Sequence, residues 1–168
     1  MFKGGTSLSK VFNLIGRFSE DIDLIIDWRE VTLENPYKEH KSKNKQNKFN
    51  TQINEDAKVY IKDKLLPIVS EILAPHCSCV ISDDEFSINI KYPSAFGDNY
   101  LRPEILLEIG PLASWLPSDY FEIESFAANK FPTFFENPKC KVNTIVAKRV
   151  KLLNILHNVQ VVELYNKI

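Results

Sequence analysis

The chain has 168 residues, 44% of them hydrophobic and 26% charged, and 21 Lys and Arg against 22 Asp and Glu leave a formal net charge of −1. That length suits one soluble globular domain with a sizeable core, and the charge balance gives nucleic acid no whole-molecule attraction. No apolar run approaches the length of a membrane span and no secretory leader precedes the first motif, so a cytoplasmic protein is expected.

The first element to read is Gly4-Gly5-Thr6-Ser7. Two adjacent glycines accept positive φ and let a phosphate approach the backbone with no Cβ in the way. Thr6 or Ser7 is the expected N-cap of a helix whose stripe is Leu8, Val11, Phe12 and Ile15, with Gly16 as its stop. The positive end of such a helix, beside the glycine amides, suits an anion. A lone Gly-Gly is more commonly just a turn.

Residues 22–28 then read as an apolar strand, preceded by Ser19-Glu20-Asp21. Asp21 and Asp23 are two apart, so on a strand they leave from one side, roughly 7 Å apart, while Ile22 and Leu24 point into the core. Two carboxylates on one face repel unless a cation lies between them, and Mg²⁺ or Mn²⁺ would suit oxygen ligands of this kind. The alternative is a solvated strand end. Taken singly each motif is weak; the glycine turn, short helix and acidic pair together are more specific.

Five lysines lie between Lys38 and Lys48 among polar residues, with no aliphatic. That reads as a basic surface loop over residues 38–48, either merely solvated or touching an RNA backbone. Residues 54–73 carry Ala57, Tyr60, Ile61, Leu65, Ile68, Val69 and Ile72 in helical rhythm, kinked or divided at Pro67. Residues 79–81 and 86–92 read as a hairpin about Ser82-Asp83-Asp84-Glu85, and 93–103 as a loop. Ile105-Leu106-Leu107-Glu108-Ile109 reads as a central strand. A carboxylate among such aliphatics is costly to bury unless paired or ligating, which singles out Glu108, with Glu104 on the same face as the fallback. The other reading is an edge glutamate facing solvent. Residues 121–126 and 142–146 read as further strands or extended segments.

Cys77, Cys79 and Cys140 form an odd set. Cys77 and Cys79 are too close for an ordinary structural disulfide. Although His76 adjoins them, no Cys-x-x-Cys completes a zinc pattern, so free thiols are expected.

Phe2-Lys3-Gly4-Gly5-Thr6-Ser7-Leu8-Ser9-Lys10 followed by Arg17-Phe18-Ser19-Glu20-Asp21-Ile22-Asp23-Leu24 resembles the signature of the AbiEii-type nucleotidyltransferases. These are toxin components of toxin–antitoxin and phage-defence systems, related to the DNA polymerase beta nucleotidyltransferase superfamily. The resemblance extends through about residue 149, including Leu101-Arg102-Pro103-Glu104 and Leu107-Glu108-Ile109-Gly110-Pro111. It implies an α+β fold, a mixed β-sheet flanked by helices, in one domain spanning the chain. It further implies metal-dependent transfer of a nucleotide from a nucleoside triphosphate to an RNA (tRNA-like) or protein hydroxyl, under a cognate antitoxin. On this reading Asp21, Asp23 and Glu108 hold the metal and act in catalysis, while Gly4, Gly5, Thr6 and Ser7 bind the triphosphate.

Relatives carry helical sequence before the Lys-Gly-Gly motif and a downstream helix with a phosphate-contacting lysine. Here residues 150–168 keep only the Ile155-Leu156-His157 ending of that element, so the family pattern reads as shortened at both ends. The alternative expectation is therefore a truncated, catalytically inactive member acting as a nucleotide- or partner-binding module.

Overall fold

The computed structural model describes residues 1–16, 21–36, 42–93, 104–111 and 118–146. Expectations falling on Arg17 to Glu20, on most of the 93–103 loop, on Lys38 and Lys41, and on the 150–168 segment lie outside these residues.

Four strands form a mixed sheet in the order β1-β4-β3-β2: β1 (Asp21–Ile25), β4 (Glu104–Gly110), β3 (Ser87–Lys91) and β2 (Ser78–Ile81). β1 runs parallel to β4, while β3 is antiparallel to both β4 and β2. The expected hairpin about 82–85 is present, and the expected central strand over 105–109 is indeed central. β1 is shorter than the 22–28 expected. Its partner ends where Ile25 faces Gly110, and the Asp27 carboxylate then accepts from Arg29 N at 2.9 Å to start a 3-10 turn at Trp28.

Alternation divides this sheet into two unlike faces. Ile88, Ile90, Leu107 and Ile109 belong to the buried core with Ile26 and Ile61, and Ile22, Leu24, Cys79 and Ile81 pack against it. That face is covered by α2 (Lys43–Tyr60), a π-helical turn over Ile61–Leu65, and α3 (Leu66–Leu73). Tyr60, Leu65, Leu66, Val69 and Leu73 supply the helical side of the core. Pro67 lacks the N–H that would extend the ordinary ladder, and the wide turn lies immediately before it. The rod is re-registered at this point rather than split. Ile88 is 0% exposed, so Ile88→Ala should cost about 2–5 kcal/mol and lower the melting temperature by roughly 10 °C. A thermal melt checks this.

The start of α2 corrects the expected basic loop. Ser42 Oγ caps the helix by accepting from Lys45 N at 3.4 Å, so Lys43, Lys45 and Lys48 are helical rather than in a loop. Its first turns are polar on all sides, and Ile53 and Ala57 are its only buried residues. No apolar stripe therefore announces them.

β5 (Ser118–Glu124) and β6 (Lys139–Ile145) make a separate antiparallel pair, linked by α4 (Phe126–Lys130) and a 3-10 turn over Pro132–Phe134. The two sheets meet at residues 1–3. Phe2 bridges Leu24 on one side and Thr144 on the other, and the fully buried Thr144 donates its hydroxyl to Phe2 O at 3.0 Å. Lys3 N donates to Asp23 O at 3.0 Å and Ile25 N to Met1 O at 2.8 Å, so this segment lies along the outer edge of β1.

The glycine turn opens α1 (Gly4–Lys10), which is shorter than the stripe to Ile15 implied. It ends before Gly16: Asn13 takes the left-handed conformation, φ 49°, that asparagine tolerates, and Leu14 N returns to Leu8 O at 2.9 Å. Phe12 instead meets Phe121 of β5 edge-on, with ring centroids 5.4 Å apart. The three cysteines are free.

Candidate active site

The second face of the four-stranded sheet carries the acids. Asp23 is directly opposite Glu108 in the parallel register, and Glu108 in turn faces Ser87 across the antiparallel one. Asp21 faces Leu106, which faces Asn89, and Glu104 faces Lys91. By period-two alternation these side chains all leave from the face opposite the helices. A sheet clamped by an apolar helix on one side thus sets three rows of polar residues on the other.

The glycine turn adjoins the acids through Gly4. Its φ of +60° is one that L side chains avoid, and a Cβ built there would lie 2.2 Å from Asp23 Oδ2. Gly4 is therefore required twice over, once by the backbone angle and once by the carboxylate seated against it. Lys3 extends along the same edge. Its Nζ would be 3.0 Å from a Cβ at Gly110, which is two residues beyond Glu108 and on the same face. An ammonium thus reaches the acid face at the glycine-turn end; in sequence Lys3, like Lys10 and Arg17, is near enough to the turn to assist with phosphate charge, with no catalytic role assigned to it. The lysine at the other end of α1 turns elsewhere: Lys10 Nζ lies 3.0 Å from the centroid of the Phe126 ring, and burial holds its pKa below the ordinary lysine value, with Glu124 opposing.

Thr6 and Ser7 occupy different roles from the one expected of them as caps. Lys3 is the N-cap residue, and no side chain caps the helix. Thr6 is buried and donates its hydroxyl to Asp21 O at 2.7 Å, and the buried Ser7 donates to Gly4 O at 2.9 Å. The Thr6 hydroxyl fastens the turn to β1 and the Ser7 hydroxyl closes the turn on itself, so the groups left to face an anion are backbone amides. The Thr6 bond also ties the first acid to the glycine turn through its own carbonyl.

On the β3 side of the acids is an open cavity of about 340 Å³. Asp21, Glu104, Leu106 and Glu108 come from β1 and β4, and Ser87, Asn89, Ser82 and Asp84 from β3 and the hairpin turn. Asp21 and Glu108 thus share one cavity, whereas Asp23 sits against Gly4 and beside Glu108 in register. Among the described residues, no three His, Cys, Asp or Glu side chains are drawn together tightly enough to enclose a metal ion. The donor set is nonetheless all carboxylate oxygen, the chemistry that hard divalent cations take, and such cations commonly keep waters and share substrate phosphates. The residues fit the group in kind and in face, without forming a closed cage.

The sequence reading passed over Ser87 and Asn89. Their signal was present in Ser87-Ile88-Asn89-Ile90, where polar and apolar residues alternate and the polar ones must face away from the helices.

A glycine turn against an acid-bearing mixed sheet, with helices on the opposite face, is consistent with a nucleotidyltransferase-like α+β fold. The family model described as nucleotidyl transferase AbiEii toxin, type IV toxin–antitoxin system, matches residues 1–150, and the chain belongs to that family. No curated protein and no solved structure gives a significant match to it. Among the described residues no helix is long and apolar enough to cross a membrane.

Proposed function

We propose that this chain is a metal-dependent nucleotidyltransferase toxin, which moves a nucleotide from a nucleoside triphosphate to an RNA (tRNA-like) or protein hydroxyl and is restrained by a cognate antitoxin. The observation that carries the reading is the contact of Gly4 with Asp23, which joins the glycine turn to an acid directly opposite Glu108. In this reading the backbone of Gly4, Gly5, Thr6 and Ser7 receives the β and γ phosphates, with the Lys3 ammonium nearby. Asp21, Asp23 and Glu108 would hold Mg²⁺ or Mn²⁺. The bound cation would neutralise charge developing on the phosphates and favour the deprotonated acceptor.

The acceptor oxygen bonds to the α-phosphorus as the bond to the bridging oxygen breaks, and that electron pair departs with pyrophosphate. The acceptor proton passes to a carboxylate of the acid face and then to water. The chain contributes positioning and electrostatics rather than a covalent intermediate. A second reading, a module that holds nucleotide or partner without turnover, is favoured by the lack of an enclosed three-acid cluster among the described residues.

Triphosphates labelled at the α or the γ position separate the readings. The purified chain, incubated with Mg²⁺ and cellular RNA or protein, should attach the α label and release pyrophosphate. Transfer of the γ label would mean kinase-like chemistry, and binding without transfer of either label would favour the module.

A further inference from the structure

A strand at the edge of a sheet presents a row of backbone N–H and C=O groups to whatever can pair with it. The edge of β1 is taken by residues 1–3, and that of β6 by Phe2, whose N–H donates to Asn143 O at 2.8 Å. β5 carries Asp119, Glu122 and Glu124, charges that discourage pairing. β2 is different. Among the described residues it is the last strand of its sheet, and Ser78-Cys79-Val80-Ile81 holds neither a charge nor a proline.

The direction of its backbone groups follows from the hairpin. Ser82 N donates to Ser87 O at 2.9 Å, which makes 82 and 87 a hydrogen-bonded pair, and the pairs beyond it alternate in kind. Val80 therefore turns its N–H and C=O toward Asn89 of β3, while those of Cys79 and Ile81 point outward. The Val80 side chain stands on the acid-bearing face between Ser78 and Ser82, and it is 49% exposed.

The ends of β2 also differ in charge. His76 and Lys91 are exposed at the Ser78 end, and Asp83 and Asp84 at the Ile81 end. An antiparallel copy of the strand reverses those ends and so lays acid toward base at both. Val80 has one outward-bonding residue on either side. A two-fold axis through it matches Cys79 of each copy with Ile81 of the other, which satisfies the outward N–H and C=O of both residues.

We propose that β2 is a self-pairing edge, at which a second copy of this chain adds antiparallel about a two-fold axis at Val80 and joins the two sheets into one. The two Val80 side chains cover each other as a close, non-hydrogen-bonded pair, and His76 faces Asp84 of the other copy. The axis is perpendicular to the sheet, so both acid faces lie on the same side. Their β4 strands are roughly 24 Å apart, at five strand spacings. This pairing does not depend on the nucleotidyl-transfer reading and stands or falls without it.

Sedimentation equilibrium and residue-resolved amide exchange of the ¹⁵N-labelled full chain test this over a dilution from roughly 500 μM to roughly 5 μM. The mass should fall from about twice 19.4 kDa toward 19.4 kDa. In step with it, exchange at the Cys79 and Ile81 amides should quicken at least about tenfold, while that at Val80, bonded to β3, changes little. Val80→Lys sets two like charges across the axis and should weaken the dimer at least about tenfold, with the melting temperature of the monomer unchanged. A monomer at every concentration would overturn the proposal. So would protection of Cys79 and Ile81 in the monomer, which would mean that other residues of this chain cover the edge. A dimer that leaves those two amides unchanged, or a folded Val80→Lys that dimerises like the parent, would overturn it as well. The wild-type series stands even where the variant does not fold.

Discussion

Asp23→Asn should lower nucleotidyl transfer by about a thousandfold while leaving the melting temperature unchanged or slightly raised. The two halves of this expectation have different causes. Asp23 and Glu108 face each other directly in the parallel register, and like charges so placed repel. Removing one charge relieves that repulsion, worth a few tenths of a kcal/mol, and the near-isosteric amide keeps its seat beside Gly4. A residue retained for stability would give the opposite sign. The loss of activity follows because an amide oxygen is a much poorer ligand for a divalent cation than a carboxylate. Rates with α-labelled triphosphate and a thermal melt of the same preparation check both halves. A variant that melts well below the parent would mean that Asp23 acts in folding, and unchanged transfer would remove it from the site.

Gly4→Ala should combine a structural and a catalytic loss. An L side chain at φ +60° costs about 1–2 kcal/mol, a fall in melting temperature of roughly 2–8 °C for a chain of this size. The new Cβ would start 2.2 Å from Asp23 Oδ2, so the carboxylate must swing away. A displacement of that kind should reduce transfer by about a hundredfold beyond anything the modest destabilisation explains. Gly16→Ala is the matched control: no described atom lies within 4 Å of its Cβ position, and both readouts should hold near the parent's. If Gly4→Ala and Gly16→Ala behaved alike, the contact between the glycine turn and the acid would carry no functional weight.

The elements most legible in the sequence were those fixed by local alternation. The β2–β3 hairpin follows from two apolar runs around Ser82-Asp83-Asp84-Glu85. β4 follows from four aliphatics around one acid, and the shared face of Asp21 and Asp23 follows from the period of a strand. What stayed hidden depends on register between distant segments. That Asp23 faces Glu108, that Lys3 reaches Gly110, and that Ser87 and Asn89 join the acid rows are consequences of strand pairing, which no local pattern specifies. The pairing of β5 with β6 as a separate sheet, bridged by Phe2, is equally non-local.

Two helices were misjudged for opposite reasons. The apolar stripe from Leu8 to Ile15 outran α1, because Phe12 is used against Phe121 and the chain turns at Asn13. The first turns of α2 had no stripe at all, so Ser42 was the one local sign of their start. A hydroxyl of Thr6 or Ser7 was expected to cap the helix; the two are spent on Asp21 O and Gly4 O instead.

Soaking crystals of the chain with Mn²⁺ and a triphosphate that resists cleavage between its α and β phosphates would address the shared seat of cation and nucleotide by anomalous scattering. The account predicts a manganese peak at coordination distance from Asp21 and Asp23, with Glu108 facing it and the β and γ phosphates over the amides of residues 4–7. Manganese bound away from these carboxylates, or a triphosphate seated in the Asn89 cavity, would contradict it.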